Sequence, residues 1–110
     1  MFQVLEFDIP SHERIVIDDE LKSHYEGMTG VTVWTEDHKY LRLINLELKI
    51  NSKEVLPAGF PAELFSINPF RNVSDCTLKV DFPKYSRIEG AITNENDEPV
   101  SIKLIIFIKL

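Results

Sequence analysis

With 110 residues, 44% hydrophobic and 27% charged, the chain has the size and composition of one globular domain spanning residues 1–110. Its formal net charge of −6 argues against phosphate-backbone binding, which needs a basic face, so no direct nucleic-acid partner is expected. A single cysteine excludes an intrachain disulfide, and no apolar run approaches the ~20 residues of a membrane helix.

In chain order, the first residues carry no leader pattern, because an acid already stands at Glu6. A protein made in the cytoplasm without a signal peptide is therefore expected. Leu5, Phe7 and Ile9 alternate and stop at Pro10, and Arg14 opens a short β-branched run ending at Ile17. Residues 18–27 read as a short helix over 19–26. Asp18 is its N-cap, Leu21 and Tyr25 lie at i,i+4, and Gly27 is its stop. Val31, Val33 and Thr35 oppose Thr32 and Trp34, which puts Trp34 on an outer face. Residues 40–50 read as one long strand. Its apolar parity switches between Leu43 and Ile44, suggesting a bulge or a strand end buried on both faces.

Residues 51–53 predict a tight turn into a strand at 54–56, and residues 61–66 allow one helical turn that ends before Pro69. Cys76, Leu78, Val80 and Phe82 alternate, so Cys76 is expected to be a small, buried, inert side chain. Ile88, Gly90 and Ile92 form a further strand, and residues 94–98 a solvated polar turn before Pro99.

The last strand is the most informative. Val100, Ile102, Leu104, Ile106, Ile108 and Leu110 make one wholly apolar face. Ser101, Lys103, Ile105, Phe107 and Lys109 make a second face that is polar at its ends and apolar in its middle. A strand apolar on both faces at mid-span has something lying on it. That cover is either the chain's own 19–26 or 58–68 segment or a neighbouring subunit. Ile105, Phe107 and Trp34 are the candidate interface residues. About eight short strands separated by turn chemistry predict an all-β fold, an antiparallel β-sandwich with one or two short helices.

Motifs for chemistry are sparse. His12, His24 and His38 lack the i,i+2 spacing that would aim two ligands the same way from a strand, so they read as loop histidines. Residues 94–98 offer alternate oxygen ligands but lack the central Gly and distal Glu of a calcium loop. The acidic pairs at 18–20 and 36–37 read as solvated loops, since paired carboxylates do acid–base work only where a pocket separates their pKa values. Asn72 begins a formal glycosylation sequon that, without a leader, reads as a turn. No catalytic residue, cofactor or metal site is expected.

The strand cadence resembles a minimal jelly roll, in which the last strand usually lies centrally in one of two sheets. The segment 46–60, LELKINSKEVLPAGF, is a long strand, a hairpin and a Pro/Gly-rich excursion. It is similar in style to small single-jelly-roll virion proteins, the penton and minor capsid proteins of icosahedral bacterial viruses. The resemblance implies a non-enzymatic structural protein located in a virion. Such a protein assembles with itself as a ring-like homo-oligomer such as a pentamer, or with other virion proteins. The alternative is a carbohydrate-binding, lectin-like module using Trp34, Tyr25, Tyr40 and Tyr85. A small β-barrel enzyme whose site is not visible in the sequence is a third reading.

Overall fold

The structure, a computed structural model, describes residues 2–22, 25–67 and 76–109. Expectations placed on His24, Pro69, Asn72 and Leu110 lie outside the described residues.

Among the described residues there are eight strands, β1 (Phe2–Ile9), β2 (Arg14–Glu20), β3 (Gly27–Trp34), β4 (Ile44–Ile50), β5 (Lys53–Pro61), β6 (Leu78–Pro83), β7 (Arg87–Asn94) and β8 (Val100–Ile108). They form two four-stranded antiparallel sheets, ordered β1-β8-β3-β6 and β2-β7-β4-β5. Apart from the β4–β5 hairpin, each connection carries the chain to the opposite sheet. The result is the jelly-roll order, and the expected sandwich is the observed one.

The core lies between the sheets and is built by alternation. Ile44, Leu46, Leu48 and Ile50 of β4 face Ile102, Leu104, Ile106 and Ile108 of β8, and all eight are buried. Ile17, Met28, Val31, Val33, Ile88 and Ile92 complete the layer. Met28 would fall on the wrong side by simple parity. A bulge between Met28 and Gly30 shifts the register and turns Met28 inward with Val31 and Val33.

The expected turn at residues 51–53 is present. Asn51 and Ser52 take positive φ values of 53° and 66°, the geometry that a two-residue hairpin loop requires, and Ile50 pairs with Lys53. Cys76 is fully buried as expected. Residues 62–65 form a single 3-10 turn, Ala62–Phe65, within the expected 61–66.

Three expectations are corrected. The helix over 19–26 does not form, because β2 continues to Glu20. Asp18, Asp19 and Glu20 pair with Glu89, Ile88 and Arg87 of β7. The Arg87 guanidinium reaches Asp18 at 2.6 Å and Glu20 at 3.8 Å, so the acidic run has cross-strand charge partners that a helix would forfeit. Gly27 opens β3 instead of stopping a helix, where a Cβ would stand 2.4 Å from the Phe82 carbonyl oxygen.

The strand over 40–50 begins only at Ile44. Residues His38–Leu43 form a 3-10 helix capped by the Asp37 side chain, which accepts from the Lys39 N–H at 3.2 Å. The parity switch therefore marks a helix–strand junction and not a bulge, with Leu41 buried and Leu43 exposed.

Finally, the turn at 94–98 is not simply solvated, since Asn94 and Asn96 are both buried. Asn94 Nδ2 donates to the carbonyls of Ile9 (3.0 Å), Pro10 (3.3 Å) and Glu98 (2.9 Å), and its Oδ1 accepts from the Asn96 N–H at 2.9 Å. Asn96 Nδ2 donates to the Tyr40 carbonyl at 2.9 Å. Two asparagines thus tie the β1–β2 turn, the 3-10 helix and the β7–β8 turn together at one end of the sandwich.

Two stability effects follow. Leu104→Ala should cost about 2–5 kcal/mol, the usual range for a buried large-to-small change. Asn94→Ala should cost about 1–3 kcal/mol by leaving buried carbonyls without a donor. Denaturant midpoints of the two variants against the parent chain check both.

Candidate functional site

The two outer sheet faces differ in chemistry. On the β2-β7-β4 side, Arg14, Asp18, Glu47, Lys49, Arg87 and Glu89 line a shallow cleft of about 250 Å³. Its charges largely satisfy one another. Arg87 contacts Asp18 at 2.6 Å and Glu89 at 2.9 Å, and Arg14 lies 3.9 Å from Glu47. The nearby carboxylates, Asp18 foremost and then Glu89, hold the Arg87 guanidinium above its usual range. This is a solvated face laced with ion pairs.

The outer face of the β1-β8-β3-β6 sheet carries an apolar patch between charged rows, and strand pairing lays it out. Phe2 stands opposite Phe107, Val4 opposite Ile105, Glu6 opposite Lys103 and Asp8 opposite Ser101. On the other side of β8, Gly30, Thr32 and Trp34 continue the rows of Phe107, Ile105 and Lys103. The three residues singled out from the sequence, Ile105, Phe107 and Trp34, therefore share one face of one sheet.

Cover on this face is graded across the strands. Thr32 on β3 is fully buried, and its Oγ1 donates to the Cys76 carbonyl at 2.8 Å. Beside it, Val33 bridges to Ser66, and the Ile67 N–H donates to the Val33 carbonyl at 2.8 Å. Ile105 and Phe107 on β8 are half-buried. Val4 on β1 is 36% exposed and Phe2 is 56% exposed. The chain thus covers Gly30 and Thr32 on β3 itself, leaves Trp34 one row further 36% exposed, and leaves the β1 side open.

Phe107 also has an internal role. A Cβ at Gly30 would lie 3.5 Å from Phe107 Cδ2 and 2.6 Å from Thr77 Cγ2. The small residue on β3 is thus roofed by the ring of β8 and the methyl of Thr77.

Comparison with known proteins finds no matching family, no matching curated protein and no matching solved structure. The reading of the site accordingly rests on its own chemistry.

At the Trp34 row the apolar patch gains a charged rim. Lys103 Nζ stacks 5.2 Å from the Trp34 ring centroid and lies 3.5 Å from a Glu6 carboxylate oxygen. An exposed apolar patch with a polar rim is the form taken by contact sites for proteins, membranes or ligands. Sequence reasoning missed Phe2 and Val4. Their alternation with Gln3 and Leu5 was the available signal, but at the chain start it reads equally well as an ordinary edge strand.

A second recess of about 470 Å³ lies at the end of the sandwich tied by Asn94, lined by Thr35, Glu36, Asp37, Tyr40, Pro99, Val100 and Ser101. Tyr40 Oη donates to Glu98 Oε2 at 2.5 Å, and Lys39 Nζ lies 5.0 Å over the Tyr40 ring. His12 pairs with Asp97 at 2.8 Å, and His38 begins the 3-10 helix. Among the described residues, no three His, Cys, Asp or Glu side chains converge as a metal site. Nor is any helix among them long and apolar enough to cross a membrane.

The Tyr40–Glu98 pair predicts a pH response. The hydrogen bond to Glu98, reinforced by desolvation and by the Glu98 charge, raises the Tyr40 pKa. A raised folded-state pKa means that the stabilisation is complete below the unfolded tyrosine pKa. It is lost as pH climbs through the folded value. Glu98→Gln should move one phenolate transition of the folded chain to lower pH, followed by phenolate absorbance. An unchanged titration would separate Tyr40 from Glu98 in solution.

Proposed function

We propose that the chain is a non-enzymatic assembly protein, a structural subunit that associates with copies of itself or with partner subunits in a virus particle. The observation that carries the reading is the apolar patch of Phe2, Val4, Ile105 and Phe107 on an outer sheet face, bordered by Trp34, Lys103 and Glu6. The opposite face of the sandwich is mainly charged, with Val16 as an isolated exposed apolar side chain, so the row of Phe2, Val4, Ile105 and Phe107 is a local concentration of apolar surface. The jelly-roll strand order is shared with viral capsid domains and also with lectins and cupins. It supports a virion setting by analogy of fold. A ring such as a pentamer would need a further, heterologous contact at the subunit edges.

The second reading is carbohydrate binding, favoured by the recess beside Tyr40. Against it, three aromatic rings, those of Trp34 and Tyr85 exposed and that of Tyr40 half-buried, each carry a lysine of the same chain. Lys39 lies over Tyr40, Lys84 over Tyr85 and Lys103 over Trp34, which occupies the ring faces that pyranose stacking uses.

Val4→Asp is the variant that tests assembly. Val4 is on the open side of the patch and makes little of the core, so the fold should survive while association weakens at least tenfold. Phe107→Ser is less clean, because it also unroofs Gly30. Solution mass, with the emission of the sole tryptophan as a reporter at the patch border, reads the outcome. Association unchanged by Val4→Asp would sink the assembly reading on this face. A glycan-dependent shift in Trp34 emission by a monomer would favour the second reading.

A further inference from the structure

We propose that the outer face of the β1-β8-β3-β6 sheet pairs with the same face of a second copy of this chain, about a two-fold axis running parallel to the strands between β1 and β8. This rests on the assembly reading above and names its partner.

The pairing register carries the argument. Across β1 and β8 the rows are Phe2 with Phe107, Val4 with Ile105, Glu6 with Lys103 and Asp8 with Ser101. A half-turn about an axis parallel to the strands keeps each row at its own height and exchanges the two strands. β1 of one copy then lies over β8 of the other. Phe2 meets Phe107, Val4 meets Ile105, Glu6 meets Lys103 and Asp8 meets Ser101. Each match occurs twice, as an isologous contact requires.

Other axes do worse. An axis along β8 itself sets Lys103 over Lys103. An axis across the strands either lays apolar rows over charged rows or engages only the two apolar rows. Opposite charges one row beyond an apolar pair therefore select a single arrangement.

The graded cover agrees with that choice. β1 is an edge strand, and the exchange carries the partner's β3 past this free edge. The contacts that bury Thr32 on β3 then clear the pair instead of colliding with it. Glu6 and Lys103 are well placed to re-pair between copies, since their side chains remain 70% and 45% exposed although they sit 3.5 Å apart.

Two strands and four rows give a footprint of roughly 10 by 25 Å. That is well below the ~800 Å² per partner of a standard interface, so the pair alone is weak and should be measured near about 1 mM protein.

The experiment is a charge exchange on the full chain, read by sedimentation equilibrium and by native mass spectrometry with one variant isotopically labelled. Circular dichroism checks that each variant is folded, as expected for an exposed ion pair. The parent chain should dimerise. Glu6→Lys and Lys103→Glu should each weaken dimerisation at least tenfold. An equimolar mixture of the two should recover it as heterodimers, because the new lysine of one faces the new glutamate of the other. The double variant should again dimerise with itself.

A mixture no stronger than its separate components overturns the two-fold arrangement. If Val4→Asp still abolishes association in that case, the assembly reading stands with a different geometry. A parent chain that stays monomeric near about 1 mM also overturns the two-fold pair, and leaves a different chain as the occupant of the face. Parent association that Val4→Asp does not touch overturns the assembly reading itself.

Discussion

The register of β8 is the constraint on which the rest of the structure depends. Val100, Ile102, Leu104, Ile106 and Ile108 are all inward, and β8 is paired on both sides, to β1 and to β3. A slip of one residue would bring Ser101 and Lys103 into the core and turn Leu104 and Ile106 out, so only one register is tolerable. With β8 held, the partners on either side are fixed row by row. The same register that fills the core therefore also decides which residues meet on the outer face. The core and the candidate interface are two consequences of one alignment.

The end of the sandwich is held by different physics. The connections there must cross between sheets, and their backbone groups cannot join a ladder. Asn94 and Asn96 supply the missing donors and acceptors from within the barrier of the fold. Among the described residues, no buried side-chain nitrogen or oxygen lacks a partner, so the polar network is complete and not a source of frustration. Ser11 adds a bond from its Oγ to the Asn96 carbonyl at 2.7 Å. At the other end, Gln3 plays a related part. Its Nε2 donates to the Glu20 carbonyl at 3.1 Å and its Oε1 accepts from the Lys22 N–H at 3.0 Å, which joins the edge of one sheet to the end of the other.

These restraints leave the two outer faces free to diverge. One collects alternating charges that neutralise each other locally, and such surface pairs contribute little to stability. The other keeps apolar side chains at the open edge beside β1, where burial inside the chain would add most and is absent. That asymmetry separates a face of locally paired charges from one that holds Phe2 and Val4 in the open.

The sequence by itself determined the strand pattern, since period-two apolar runs survive in almost any sandwich context. The turn at Asn51 and the inward face of β8 were legible because alternation and turn chemistry are local, whereas Cys76 is buried as expected although it precedes β6 and owes that to its place over Thr32. Only the tertiary structure decided the rest. Residues 19–20 read as helix from capping and spacing, yet they extend β2, because the β7 strand beside them offers their backbone a ladder opposite Ile88 and Arg87 that no local window reveals. The junction at Leu43 needed the Asp37 cap to be seen as a helix end. Asn94 looked like a solvated turn residue because its partners Ile9 and Pro10 lie more than eighty positions away. Whether Ile105 and Phe107 are covered depends on which strands flank β8, and pairing between distant strands is a property of the folded chain and not of any window within it.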